Sequence, residues 1–129
     1  MQLDVLATRV AEWLSDDLAA TLVPHLTVEV ASDPSSASPL QWQLIVDHTP
    51  IAWAWVSSEL APQDAVVRGI DDLQDHIIDE LHGAWPVCPL HGSHPLRVRE
   101  TADGPDWTCP INRRKIELVG NLEKYYERP

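Results

Sequence analysis

Leu40-Gln41-Trp42-Gln43-Leu44-Ile45-Val46, then Asp47-His48-Thr49-Pro50, then Ile51-Ala52-Trp53-Ala54-Trp55-Val56 is the run that decides the fold class. Leu40, Trp42, Leu44 and Val46 alternate with Gln41 and Gln43, the period of a strand with one apolar face. Asp47-His48-Thr49-Pro50 has the chemistry of a turn, so the next apolar stretch is a returning strand. That strand sets Ile51, Trp53 and Trp55 on one face and Ala52, Ala54 and Val56 on the other. Both faces are apolar, which predicts burial on both sides. Upstream, Leu26-Thr27-Val28-Glu29-Val30 alternates in the same way, ends near Ala31, and is followed by a Ser- and Pro-rich loop from Ser32 to Pro39. The three segments form an antiparallel meander.

Helical periodicity flanks the meander. Leu3, Leu6, Val10, Trp13, Leu18 and Leu22 recur three to five apart and draw one apolar stripe, closed by Pro24. After Pro62, the residues Val66, Val67, Ile70, Leu73, Ile77 and Leu81 form a second stripe, with Asp64, Arg68, Asp71, Asp75 and Asp79 on the wet side and Gly83 as the stop. From Trp85 the texture changes. Prolines punctuate two short strands, about Pro95 to Thr101 and Asp106 to Cys109, joined by the turn Ala102-Asp103-Gly104-Pro105. Ile116 to Tyr126 reads as a short strand or a last helix, and a helix from about Gly120 is favoured. The order is α+β: an N-terminal helix, a three-stranded antiparallel meander, a helix, a two-stranded hairpin and a short C-terminal helix. It divides as an α+β body, 1–84, and a segment, 85–129, packed on it as one cooperative domain.

Cys88-Pro89-Leu90-His91-Gly92 carries the chemistry. A tight turn of the form Cys-Pro-x-ligand-Gly brings two donors to one metal: the Pro sets a dihedral, and the Gly supplies the positive φ that aims backbone amides at the sulfur. Seventeen residues separate His91 from Cys109, within the range of about 15 to 20 between paired zinc ligands. The hairpin from Pro95 to Cys109 fills that gap.

These residues resemble a zinc ribbon, whose two metal-binding knuckles sit at the ends of a β-hairpin; the match covers about Trp85 to Arg114. The first knuckle fits with His in place of the second Cys. The second, Cys109-Pro110-Ile111-Asn112, has Asn where the pattern has Cys or His, and Asn is a poor zinc ligand. His94 is the nearest substitute. Cys88, His91, His94 and Cys109 would then complete a two-Cys, two-His tetrahedron around one structural zinc. The wording Trp-Pro-x-Cys-Pro-x-His-Gly followed by Trp-x-Cys-Pro also resembles small proteins of high-GC bacteria, a resemblance that brings no activity with it. The order of elements is similar to that of small acidic secretion chaperones, again without a residue to carry over. A Cys88–Cys109 disulfide is the competing reading, and it leaves both histidines unexplained; plain burial of both thiols is another.

Other constellations have ordinary explanations. Asp72, His76 and Glu80 line up at i, i+4 and i+8, as solvated helix charges often do. Asp47 and His48 belong to a turn. Six Trp in a chain with no Phe are expected to fill its core, and Trp53 with Trp55 would become a protein-docking surface if their face were exposed. Sharp signatures for nucleotide binding, serine hydrolase, zincin and nucleobase deaminase chemistry are missing from the sequence.

Nine basic against twenty acidic residues give a formal charge of −11. Nucleic acid is excluded as a partner on that ground, and Arg97, Arg99, Arg113 and Arg114 are the one local basic cluster. No run of about 18 apolar residues predicts a membrane span. The acidic start, Met1-Gln2-Leu3-Asp4-Val5, lacks a secretory pattern, so the cytoplasm is expected. The sequence therefore points to a non-enzymatic interaction module with a structural zinc, whose partner is another protein and which could form a homodimer. The alternative is a zinc-dependent hydrolytic enzyme with water on the fourth position and Asp106 or His94 as proton carrier.

Overall fold

The structure is a computed structural model that describes residues 2–32 and 40–126. The expected loop lies outside the described residues except for Ser32, which extends the first strand. The order is α1 (Leu3–Ala20), β1 (Leu26–Ser32), β2 (Leu40–Val46), β3 (Thr49–Trp55), α2 (Pro62–Leu81), β4 (Arg97–Thr101), β5 (Gly104–Thr108), β6 (Lys115–Leu118) and α3 (Leu122–Tyr126). The chain is α+β, with two antiparallel three-stranded sheets ordered β1-β2-β3 and β4-β5-β6. The C-terminal stretch left open between strand and helix contains both, in succession. Among the described residues no helix is long and apolar enough to cross a membrane.

The β2–β3 hairpin closes in two residues. Asp47 (φ 48°) and His48 (φ 69°) both take left-handed conformations, the type I′ geometry that matches strand twist, while Thr49 already pairs with Val46. Thr49 and Pro50 are therefore strand, not turn. Helix α1 ends at Ala20, ahead of Pro24. Leu22 sits at φ 65°, with its N–H bonded to Ala19 O (3.2 Å) and that of Val23 to Leu18 O (2.8 Å), a Schellman cap in which Leu occupies the position usually held by Gly. Leu22 is thus 88% exposed and lies outside the stripe that its spacing suggested. At the end of α2 the left-handed residue is His82 (φ 54°), one position before the expected Gly83.

The buried stripe of α1 is Ala7, Val10, Ala11, Leu14, Asp17 and Leu18. With α2 it covers the inner face of the meander, where Val28, Trp42, Leu44 and Ala54 are buried. Trp42 is fully buried between the helices: its indole N–H donates to Ala7 O (2.9 Å), and Gly69 of α2 admits its ring, since a Cβ there would stand 2.6 Å from Cζ3. Burying such a ring contributes about 2–3 kcal/mol.

The expectation that β3 is buried on both sides is wrong. Ile51, Trp53 and Trp55 are 40, 52 and 41% exposed, because both long helices pack on the opposite face. Trp42, Trp85 and Trp107 do fill the core. At the other edge of the sheet, the Ser15 hydroxyl of α1 takes the N–H of Val28 (2.9 Å) and donates to its carbonyl (3.2 Å).

The second sheet packs on α2 while α3 packs on α1, and a single buried cluster runs through both halves of the chain. The Asp17 carboxylate accepts the Trp107 indole N–H (2.9 Å) and the backbone N–H groups of Gly120 (2.7 Å) and Leu122 (3.0 Å). Gln74 of α2 donates through Nε2 to Trp85 O (2.9 Å) and Leu96 O (2.6 Å). Trp85 donates to Thr21 Oγ1 (2.8 Å) and meets Trp107 edge to face at 5.6 Å.

Candidate metal centre

Two turns of like construction face each other beside the β4–β5 hairpin. In the first, Gly92 N–H donates to Cys88 O (2.7 Å), with Gly92 at φ 75° as the turn chemistry requires. In the second, Arg113 N–H donates to Cys109 O (2.8 Å), with Arg113 at φ 61°. The Cys N–H groups anchor each turn to the chain leaving it: Cys88 N–H to His94 O (2.8 Å) and Cys109 N–H to Arg114 O (2.9 Å). The first of these bonds, with Leu96 N–H to Pro86 O (2.7 Å) below it, folds 86–96 back on itself and brings His94 opposite Cys88.

One ligand atom from each of Cys88, His91, His94 and Cys109 lies within 4.8 Å of the other three, and among the described residues this is the one such group able to hold a metal ion. His91 Nδ1 is 3.5 Å from both sulfurs, and His94 Nε2 is 3.0 Å from His91 Nδ1 and 3.9 Å from Cys109 Sγ. His94 Nδ1 lies 3.0 Å from Pro95 O, which can only accept. The proton therefore sits on Nδ1 and the Nε2 lone pair faces the cluster, as metal-binding imidazoles are commonly oriented. The sulfurs are buried, His94 is half-buried and His91 is exposed.

Burial pushes the Cys109 thiol up, but the backbone N–H groups of Asn112 and Ile111, together with the Cys88 thiol, outweigh it and hold the thiol below its usual range. Backbone amides aimed at a sulfur stabilise the thiolate that a metal needs. Cys88 and Cys109 are not bridged. The Asn112 Oδ1 accepts the Arg114 N–H at 2.9 Å and caps its own turn.

The remaining candidates behave as ordinary structure. Asp72, His76 and Glu80 are exposed on α2, away from the donor cluster. Asp106 is buried; Oδ1 accepts the Thr108 hydroxyl (2.8 Å) and Oδ2 has no hydrogen-bond partner among the described residues. Sequence spacing missed Asp17 and Gln74 as buried polar ties, although Asp17 follows Val10 and Leu14 at i+7 and i+3 and so falls within the apolar stripe. No family model, curated protein or solved structure matches the chain, and the resemblance to a zinc ribbon rests on the two knuckles alone.

Proposed function

We propose that the chain is a non-enzymatic interaction module in which zinc, held by Cys88, His91, His94 and Cys109, fastens the C-terminal segment to an α+β body whose exposed sheet face engages another protein. The observation that carries this reading is the completeness of the donor set. Bonds of about 2.3 Å to sulfur and 2.0–2.1 Å to nitrogen give a tetrahedron with edges of roughly 3.3–3.8 Å. Four of the six separations in the structure, 3.0, 3.5, 3.5 and 3.9 Å, lie close to those edges. Four protein donors leave no position for water, the arrangement of a structural site. Reduced cysteines suit a reducing compartment such as the cytoplasm.

The interaction half of the proposal rests on Ile51, Trp53 and Trp55, a contiguous apolar face on a protein of charge −11. The hydrolytic alternative requires a vacant metal position and a proton carrier beside it. His94 fills the first requirement's place, and Asp106 is tied to Thr108 outside the donor set.

The test is metal content of chain purified without an affinity tag, with absorption spectroscopy of the ligand number. One zinc per chain on two sulfurs and two nitrogens is expected, and His94→Ala should weaken zinc by at least tenfold. A fully active metal complex in His94→Ala, with one exchangeable water already present in the wild type, would favour the enzyme instead.

A further inference from the structure

The net charge of −11 conceals a separation. Residues 1–84 contain fourteen acidic and two basic residues, whereas 85–129 contain six and seven. Five of the nine cationic side chains, Arg97, Arg99, Arg113, Arg114 and Lys115, fall within one stretch of nineteen positions. Three of them converge. A cleft of about 250 Å³ beside the second knuckle is lined by Arg97, Arg99, Thr108, Cys109, Pro110 and Arg113, with no acidic side chain among them.

Two of these three guanidinium groups are not consumed by the fold. Arg97 is tethered from behind, 3.7 Å from each of Asp71 and Asp75 on α2 and 3.5 Å from Gln74 Oε1. Arg99 and Arg113 are exposed and make no ion pair among the described residues. Asp106 pairs across the strands with Arg99, yet its Oδ1 is engaged by Thr108 and it forms no ion pair with that arginine.

Arg113 supplies an independent observation. It occupies the left-handed position that Gly92 fills in the first knuckle, a conformation that disfavours a residue with a Cβ. Leu22 and His82 take the same conformation at helix ends, so what singles out Arg113 is its place in the cleft. Here the turn holds an arginine at the mouth of a cationic cleft when glycine would suit the backbone better.

We propose that this cleft binds a phosphoryl group, with Arg99 and Arg113 as its principal ligands and Arg97 as a third fork. Planar guanidinium forks match the oxygens of a tetrahedral dianion, and their fixed charge does not depend on pH. The volume suits a phosphate or the phosphate end of a small monoester, not a polymer, and the acidic body repels nucleic acid. The site is separate from the docking face on β3 and does not rest on it.

The experiment titrates inorganic phosphate into the metal-loaded full chain at constant ionic strength, following backbone amide shifts, with phenyl phosphate and acetate as comparison ligands. Saturable shifts centred on Arg99, Thr108 and Arg113 are expected for both phosphates, and none for acetate. Tighter binding of phenyl phosphate assigns the site to a monoester, and tighter binding of inorganic phosphate to the free ion. Arg113→Gly is the decisive variant because it relieves the backbone. Its Tm should rise by about 2–6 °C while phosphate affinity falls at least tenfold. Absence of saturable shifts in the wild type, or phosphate affinity unchanged in a well-folded Arg113→Gly, overturns the proposal.

Discussion

Asp17 joins the N-terminal helix to β5 and to the start of α3 through three N–H donors that have no other described acceptor. Asp17→Ala strands all three in a buried place and should cost about 2–4 kcal/mol at pH 7, measured by denaturant unfolding. Burial lifts this carboxyl from 3.8 to about 6, the bonds from Trp107, Gly120 and Leu122 opposing the rise. The native chain therefore holds the proton more tightly than the unfolded chain. The resulting stabilisation is complete below about pH 4, is lost as pH rises from 3.8 toward 6, and is worth about 3 kcal/mol over that window. The gap between wild type and Asp17→Ala should thus widen on acidification from pH 7 to 4.5; a gap that narrows would contradict the raised value. At this scale the sequence was partly readable. Asp17 could be seen in the apolar stripe, but its partners lie 90 or more positions away, beyond anything local spacing reports.

Among the elements, β3 shows why alternation is insufficient. Its period located the strand correctly, and both of its faces are apolar, but exposure depends on where helices dock. Only Ala54 and its inward neighbours receive that cover. Since Trp53 and Trp55 stand outside the core, Trp53→Ser with Trp55→Ser should leave Tm within about 3 °C of wild type and remove the emission that acrylamide quenches most. A purified protein partner that binds the wild type should lose at least tenfold affinity for this variant. A fall of 8 °C or more in Tm would instead show the face to be packed. The knuckles were more legible, because Cys-Pro turns and the Gly92 position have local causes. The backbone bond from Cys88 N–H to His94 O explains how His94 reaches the donor cluster.

For the whole molecule, the fold class followed from periodicity, whereas the third strand of the second sheet, Lys115–Leu118, was too short to separate from the helix after it. Residues 1–84 and 85–129 share one buried cluster, with Asp17, Gln74 and Trp85 spanning the division. We expect one unfolding transition for the metal-loaded chain, with far-ultraviolet circular dichroism and Trp fluorescence giving the same midpoint. Chelation should lower both midpoints together by more than about 10 °C, since metal binding to such a site is coupled to folding. Two separated transitions would mean that the halves fold independently.

The Ser15 hydroxyl, by occupying the outward N–H and C=O of Val28, changes what the meander can do in company. A sheet with two open edges is polyvalent and can polymerise strand by strand. This one is stoppered in the middle of β1 and keeps β3 as its remaining rim, so its capacity for strand addition is one. Two copies meeting rim to rim would exhaust that capacity in a closed pair, and a foreign strand docking there would end the series at once. A single hydroxyl on a neighbouring helix thus blocks one edge of this sheet and leaves the edges of the β4-β5-β6 sheet as they are.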